Sequence, residues 1–306
     1  MICDTHCDTL TEIFDKKLPL YENSLHIDLK RLKKYKGFCQ VFACFISTDH
    51  KTYAKQYALD AFSYFKNELT NNKSCIEQFI NLSEYEKIIS ENKIAALLSI
   101  EGGECIEQLS DIELFYNLGV RIIALTWNYD NKLASGVLGC SIDGLTKFGK
   151  KVLKKMGDFK ILTDVSHLSE KSFGDVAEYS LLPIIATHSD SYKICPNPRN
   201  LTDEQFLEIK RQDGYVGINL YPEFLTNEPP AKISDILKTI EHFLILGGEN
   251  IIGLGCDFDG VDSLPQGIFG VSDLDKIFNE MAKAGYNQDL IDKIAHKNFE
   301  KIINLF

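Results

Sequence analysis

The 306-residue sequence has little that would place it in a membrane or outside a cell. It contains no run of about 18 uncharged apolar residues, so no membrane-spanning helix is expected. Its nine cysteines are an odd number with no C-x-x-C pair among them, and no secretory signal precedes them. Because disulfides are rare in reducing compartments, we expect free thiols and a cytoplasmic protein.

Positive charge is also scarce. The sequence has 33 Lys and Arg against 44 Asp and Glu, a net charge of -11. Nucleic acids and anionic membranes both attract clustered Lys and Arg, so neither is expected as a partner. The one basic cluster, KRLKKYK at residues 30–36, is short and is typical of a solvated helix face.

Internal repeats, low-complexity tracts and flexible linkers are absent, which predicts a single domain over residues 1–306. The most proline-rich stretch, NEPPA at 227–231, fits one long loop. Capping patterns mark helix starts: Ser83 precedes Glu86, Thr202 precedes Gln205, and Ser169 precedes Ser172.

What the sequence does contain is an alternation of short apolar runs with longer amphipathic stretches rich in Lys and Glu, ending in a closing helix over 288–303. Eight runs are predicted to be strands: Ile2–Thr5, Phe38–Ile46, Ile94–Ile100, Val120–Thr126, Lys160–Val165, Leu182–Thr187, Tyr215–Leu220 and Ile251–Gly255. Several are apolar on both faces, as parallel strands covered on both sides are. The pattern favours an α/β fold, a (β/α)8 TIM barrel, over an open sheet.

Polar residues collect where the predicted strands end, which in such barrels is where active sites lie. The chain opens with D-T-H-C-D, in which alternate positions on a strand share a face. The strand-end residues are His6, Asp8, Glu101, Trp127, Asn128, His167, His188, Asp257 and Asp259. Three of the seven histidines in the chain are in this set.

A structural role is the simpler interpretation of any one histidine. Three imidazoles beside Asp8 and Glu101, however, indicate a metal site. They are too many ligands for one catalytic zinc, which typically keeps three protein ligands and an open position. They suit two metals that share a carboxylate.

The order of the motifs resembles a known family. D-T-H-C-D, S-I-E-G-G-E, D-V-S-H-L-S, A-T-H-S-D-S-Y followed by N-P-R-N-L, and G-C-D-F-D-G are similar to the membrane (renal) dipeptidase family, peptidase family M19, of the amidohydrolase superfamily. The likeness spans residues 4 to about 260. It implies a (β/α)8 barrel with two Zn²⁺ per chain that hydrolyses dipeptides by attack of a metal-bridging hydroxide.

The resemblance also implies a role for each matching residue. His6, Asp8 and Glu101 would bind one zinc, and Glu101, His167 and His188 the other. Arg199 would hold the free carboxylate of the dipeptide, for which a planar guanidinium is well shaped. Asp257 would shuttle the proton, with Asp259 as the near alternative. Asp4 is expected to accept a hydrogen bond rather than to bind metal.

One position departs from the family pattern. Where a familiar member has L-T-H, with a histidine that contacts the substrate carbonyl, this chain has L-T-W-N. Indole donates one hydrogen bond but neither accepts nor titrates. Either Trp127 polarises that oxygen, or it forms a wall of the pocket and Asn128 or a zinc takes the role.

Two other functions stay open at this stage: an amidohydrolase acting on another small acyl amide or lactam, and a catalytically silent metal-binding barrel. The silent barrel would be expected to lack a ligand or Asp257, and the sequence lacks neither. A homodimer is expected by resemblance alone.

Overall fold

The computed structural model describes residues 1–306. Nine parallel strands form its sheet: β1 Ile2–Asp4, β2 Phe38–Phe45, β3 Ile76–Gln78, β4 Ile94–Glu101, β5 Val120–Ala124, β6 Leu162–Asp164, β7 Ile185–Ala186, β8 Tyr215–Ile218 and β9 Ile252–Leu254. Around the ring the order is β2-β1-β9-β8-β7-β6-β5-β4, and β2 pairs with β4 along its whole length. The sheet therefore closes, which confirms the predicted (β/α)8 barrel.

The strand β3 was not predicted. It pairs only with the first residues of β4, from Ile76 opposite Ile94 to Gln78 opposite Ala96. On the same side of β4, β5 joins only from Leu98 onward. Three residues are too few to show a period-2 pattern, so only the tertiary pairing defines this strand.

Helices alternate with the strands: α1 Thr9–Lys16, α2 Leu29–Leu32, α3 Ala54–Asn71, α4 Leu82–Ser90, α5 Ser110–Asn117, α6 Lys147–Asp158, α7 Glu170–Tyr179, α8 Asp203–Arg211, α9 Pro222–Leu225, α10 Ile233–Ile245, α11 Leu274–Lys283, α12 Gln288–Asp292 and α13 Asn298–Ile303. The predicted closing helix is divided, because a π-helical turn at Lys293–Lys297 joins α12 to α13. Neither α1 nor α9 was predicted, and α9 lies just before the proline-rich stretch 227–231 that was expected to be loop.

Two of the three predicted helix caps are confirmed. Thr202 and Gln205 form a capping box at α8, and Ser169 Oγ accepts from Ser172 N at α7. The cap predicted at Ser83 is wrong. Asn81 caps α4 instead, since its Oδ1 accepts from Glu84 N over 3.0 Å. Asn is as good a cap as Ser, and the helix begins earlier than the Ser83 pattern suggested.

The apolar core has two parts. A cluster of 15 buried residues takes side chains from seven of the barrel strands, and α4 and α13 contribute to it. A larger cluster of 68 buried residues includes side chains of the surrounding helices. No helix is both long enough and apolar enough to span a membrane.

Candidate metal centre

The five predicted ligand side chains converge at or just beyond the ends of β1, β4, β6 and β7. His6 Nε2 lies 3.2 Å from Glu101 Oε2, and His167 Nε2 lies 2.6 Å from Glu101 Oε1. All five residues are buried. The two oxygens of Glu101 therefore face two different imidazoles.

Three overlapping groups in this cluster have the composition and spacing of a metal site. They are His6, Asp8 and Glu101; Glu101, His167 and His188; and His6, His188 and Asp257. Within each group, the candidate ligand atoms lie within 4.8 Å of one another. The first two groups are the two sets that the sequence resemblance implies, and they meet at Glu101.

Two atoms of the cluster support a cation there. His6 Nε2 and Asp8 Oδ1 are buried and have no hydrogen-bond partner. Buried polar atoms are rarely left unpaired in native proteins, because the desolvation cost is then uncompensated. Imidazole nitrogens with carboxylate oxygens are a donor set that zinc commonly takes, so the residues fit the implied metals.

The electrostatics of the cluster centre on Glu101. Burial on its own raises the pKa of a carboxyl group, but His6 and His167 outweigh it and hold the pKa of Glu101 well below its ordinary value. Burial, helped by the neighbouring Glu101, raises the pKa of Asp8 to about 7. Burial, helped by His6, keeps the pKa of His188 well below its ordinary value. Neutral imidazole is the form that binds metal.

Asn128 lies against a predicted ligand. Its Oδ1 accepts a hydrogen bond from His167 Nδ1 over 2.8 Å. Because the ring proton is on Nδ1, the other nitrogen, Nε2, carries a lone pair. Nε2 is the nitrogen that faces Glu101. Asn128 also borders the cavity beside Arg199, so it lies next to the space predicted for substrate as well.

Asp257 faces the cluster, whereas Asp259 does not. Asp257 Oδ1 lies 3.8 Å from His6 Nε2, and Asp257 Oδ2 accepts from Asn219 Nδ2 over 2.8 Å. The carboxylate of Asp259 instead accepts from Thr9 Oγ1 at 2.6 Å and from the backbone N–H of His26 at 2.5 Å. Of the two acids, only Asp257 belongs to a group that could hold a metal.

The backbone after β9 gives Asp257 this position. Asp257 and Asp259 both have positive φ, 58° and 68°, in the left-handed region that Asp tolerates better than most residues. Gly260 follows them, and a Cβ built there would collide with Asp8 Oδ2 and Asp257 Oδ1. A residue without a side chain is therefore needed beside the two carboxylates.

The route by which His6 and Asp8 converge differs from the predicted one. The strand β1 ends at Asp4, so strand alternation does not continue through the motif. Past the strand, Asp8 N donates to Phe258 O over 2.9 Å, and Asp8 stands at the N-cap of α1. Asp4 accepts from Cys256 N over 2.8 Å, in line with its expected role as a hydrogen-bond acceptor.

Two adjoining cavities open onto the cluster. The larger, about 490 Å³, is lined by Asp8, Glu101 and His167, and the smaller, about 220 Å³, contains Arg199. Trp127 and Asp257 border both. The indole of Trp127 packs edge-on against Phe45, with ring centroids 5.3 Å apart, and so forms part of the wall.

Arg199 is buried. Its Nη1 donates to Ser166 O, its Nη2 lies 3.4 Å from His188 O, and its Nε has no partner. The guanidinium plane also lies near the Phe224 ring, 5.3 Å from its centroid. Arg199 thus brings a positive charge to the smaller cavity, a short distance from His167.

Comparison with known proteins decides the family. The model of the membrane dipeptidase family, peptidase family M19, matches residues 1–305. The chain belongs to this family. An uncharacterized protein from the pqqA 5' region of Klebsiella pneumoniae is 33% identical over 235 residues, 73% of this chain and 86% of that protein.

Two further proteins extend the comparison. An uncharacterized dipeptidase of Schizosaccharomyces pombe is 31% identical over 216 residues, and the match covers 69% of this chain but only about half, 53%, of that protein. A metallopeptidase from Rhodobacter sphaeroides, solved with a phosphinate mimic of L-Ala-D-Ala, superposes with a TM-score of 0.91 at 26% identity. That superposition covers 99% of this chain and 98% of the other.

The sequence did not single out three polar residues that the structure places beside the cluster. Asn219 follows β8 and contacts Asp257, while Asp164 and Thr187 lie behind His188. Asn219 directly follows the observed β8, but it lay inside the predicted strand Tyr215–Leu220, so the strand-end signal missed it. Asp164 and Thr187 lay inside predicted strands, where a polar residue gives no such signal.

Proposed function

We propose that this M19 family member is a zinc-dependent dipeptidase with a binuclear centre. The observation that carries the proposal is the position of Glu101. It belongs to both ligand groups, and its two oxygens face His6 and His167. A carboxylate in that position suits a bridge between two metals about 3.5–4 Å apart.

The metal ligands proposed are those that the family resemblance implies. His6, Asp8 and Glu101 would hold one zinc, and Glu101, His167 and His188 the second. The chemistry that the two ions supply when bound is acidification of water and polarisation of the scissile carbonyl. The unpartnered His6 Nε2 and Asp8 Oδ1 support this assignment.

The two cavities support a small peptide substrate. In the smaller cavity Arg199 would bind the C-terminal carboxylate of a dipeptide, with its guanidinium already fixed by Ser166 O. A cavity of about 220 Å³ favours a short C-terminal side chain. The larger cavity would take the N-terminal residue. The Rhodobacter sphaeroides relative, liganded with a mimic of L-Ala-D-Ala, supports the same class of substrate.

Asp257 would act as the general base and then as the general acid. Its Oδ1 is directed towards the cluster while its Oδ2 is held by Asn219, so one oxygen stays available to take a proton from water and return it to the leaving amine. Trp127 would act as a wall common to both cavities, with its single N–H as the one hydrogen-bond donor it can offer the substrate carbonyl.

The deciding experiment is metal content per chain, measured on protein purified without chelator, together with hydrolysis of a panel of L,L and L,D dipeptides. We expect about two zinc ions per chain and dipeptide cleavage that chelation abolishes. Two metals without dipeptide cleavage would move the substrate to another small amide or lactam and make Trp127 the first residue to replace. Absence of metal would refute the proposal.

The cytoplasmic location, the homodimer and the single domain stay predictions of the sequence.

A further inference from the structure

The hydroxyl of Thr187 lies at the centre of a buried network behind the metal cluster. Its Oγ1 lies within hydrogen-bond distance of Asp164 Oδ2, at 2.8 Å from His188 Nδ1, and at 3.4 Å from His6 Nδ1. Thr187 is fully buried, and Asp164 is nearly so. One hydroxyl therefore links a carboxylate to two imidazoles, one from the start of the chain and one from its middle.

Asp164 is the shared hydrogen-bond acceptor of this network. Its Oδ1 accepts from Ser166 N at 3.0 Å, from Ser166 Oγ at 2.5 Å and from Thr187 N at 3.0 Å. Together with Thr187 Oγ1, these donors surround the two oxygens of the Asp164 side chain. A carboxylate only accepts, which requires the Thr187 hydroxyl to donate its hydrogen to Asp164.

The direction of that hydrogen bond determines the next one. A threonine hydroxyl has one hydrogen, and when Asp164 receives it, the oxygen can only accept from the neighbouring ring nitrogen. The proton of His188 then lies on Nδ1, and Nε2 is left with its lone pair. Nε2 is the nitrogen that faces the cluster, 2.9 Å from His167 Nε2 and 3.7 Å from Glu101 Oε1.

We propose that Asp164 and Thr187 form a relay that fixes the tautomer of His188, and more weakly that of His6, so that Nε2 of each ring is the metal-binding atom. Both are positioning residues, since neither belongs to a group that could hold a metal. The consequence for zinc affinity rests on the proposed function, whereas the tautomer itself does not.

Asp164 holds the backbone of His188 as well. Ser166 Oγ donates to Asp164 and in turn accepts from His188 N over 3.2 Å. The same carboxylate thus fixes the main chain of the ligand through one hydroxyl and its ring through another. Outer partners of this kind orient ligating imidazoles and raise metal affinity.

The first test replaces Thr187 with Val, which keeps the shape but removes the hydroxyl, and measures zinc affinity by competition with a chromogenic chelator. We expect affinity to fall roughly 10–100-fold, and Thr187→Ser, which keeps the hydroxyl, to restore most of it. Thr239→Val is the matched control, because Thr239 is a buried threonine of α10 whose hydroxyl has no partner.

The second test reads the tautomer directly by ¹⁵N NMR of histidine-labelled full-length protein, before and after chelator treatment. In the wild type we expect the His188 proton on Nδ1 in both states. In Asp164→Asn, the new amide would donate to Thr187 Oγ1, so the hydroxyl would turn its hydrogen towards His188 Nδ1 and the ring proton would move to Nε2.

The outcomes separate the relay from the proposed function. Zinc binding by Thr187→Val as tight as by the wild type, or equal loss in Thr187→Val and Thr187→Ser, would overturn the relay. So would a wild-type His188 protonated on Nε2 after chelator treatment. A wild type that binds no zinc would refute the proposed metal centre instead, and the NMR measurement would still decide the tautomer.

Discussion

The side-chain amide of Asn219 donates a hydrogen bond to Asp257 Oδ2 over 2.8 Å, and both residues are buried. The amide cannot rotate freely, because Asn219 Oδ1 accepts from Tyr221 N at 2.7 Å. Asp257 is therefore held by one oxygen, with Oδ1 left on the side of His6. Asn219, which directly follows β8, thus orients Asp257, which follows β9.

Replacing Asn219 with Ala is expected to lower kcat about 10–100-fold while zinc content stays at the wild-type value. A hydrogen bond to a charged group contributes about 1.5–3 kcal/mol, and each 1.4 kcal/mol is about a factor of ten in rate. Steady-state kinetics with metal analysis would check this. Asn298→Ala is the control, since Asn298 is also buried, but its side chain bonds Glu249 O, Ile252 O and Lys301 Nζ rather than a residue of the cluster. An unchanged kcat in Asn219→Ala would show that Asp257 needs no such support.

Asp257→Asn is expected to lose hydrolysis by roughly 10²–10⁴-fold, as removal of a general acid–base does, with both metals still bound. The paired variant Asp259→Asn should retain most of the rate, because that carboxylate is occupied by Thr9 and His26 and its loss affects mainly local stability. Rates normalised to bound metal separate the two. If Asp259→Asn were the inactive variant, the proton shuttle would have to be reassigned.

The barrel could be predicted because short apolar runs alternate with amphipathic helical stretches along the whole sequence. Seven of the eight predicted runs contain an observed barrel strand, and the eighth, Ile94–Ile100, ends one residue before β4 does. The rule that polar residues follow strand ends located the whole cluster. The same rule missed Asn219, because the predicted strand ran to Leu220 whereas the observed strand ends at Ile218. Thr187 and Asp164 could not be found in this way, because their proposed role depends on the direction of hydrogen bonds in the folded protein.

Local pattern failed where tertiary contacts decide the structure. The strand β3 exists only through its pairing with β4, and β1 ends at Asp4 although the D-T-H-C-D pattern alternates further. Beyond Asp4, the backbone hydrogen bond from Asp8 N to Phe258 O positions the motif, rather than the alternation of side chains along a strand. Sequence patterns describe neighbours along the chain, whereas the hydrogen bond between Asp8 and Phe258 joins residues about 250 positions apart.

Glu101→Gln is expected to lose at least one metal per chain. Glutamine keeps the size of the side chain but removes the charge that His6 and His167 face, and it presents a donor where one metal would bind. Glu104→Gln, three residues later in the same motif, should keep both metals, because Glu104 lies in none of the groups that could hold one. Elemental analysis of both variants would check this, and a fully metallated Glu101→Gln would refute bridging.

Arg199→Ala is expected to abolish discrimination between a dipeptide and the same dipeptide with an amidated C-terminus. In the wild type the guanidinium would favour the free carboxylate, and loss of a charge-assisted pair of this kind should raise KM for the free dipeptide about 10–100-fold. Since Arg199 also donates to Ser166 O, truncation disturbs the loop before His167, and a lower kcat towards both substrates is expected. The ratio of kcat/KM for the two substrates cancels that common loss. A variant that still preferred the free carboxylate would assign carboxylate binding to another residue, while metal content measured in parallel would show whether the zinc centre had survived.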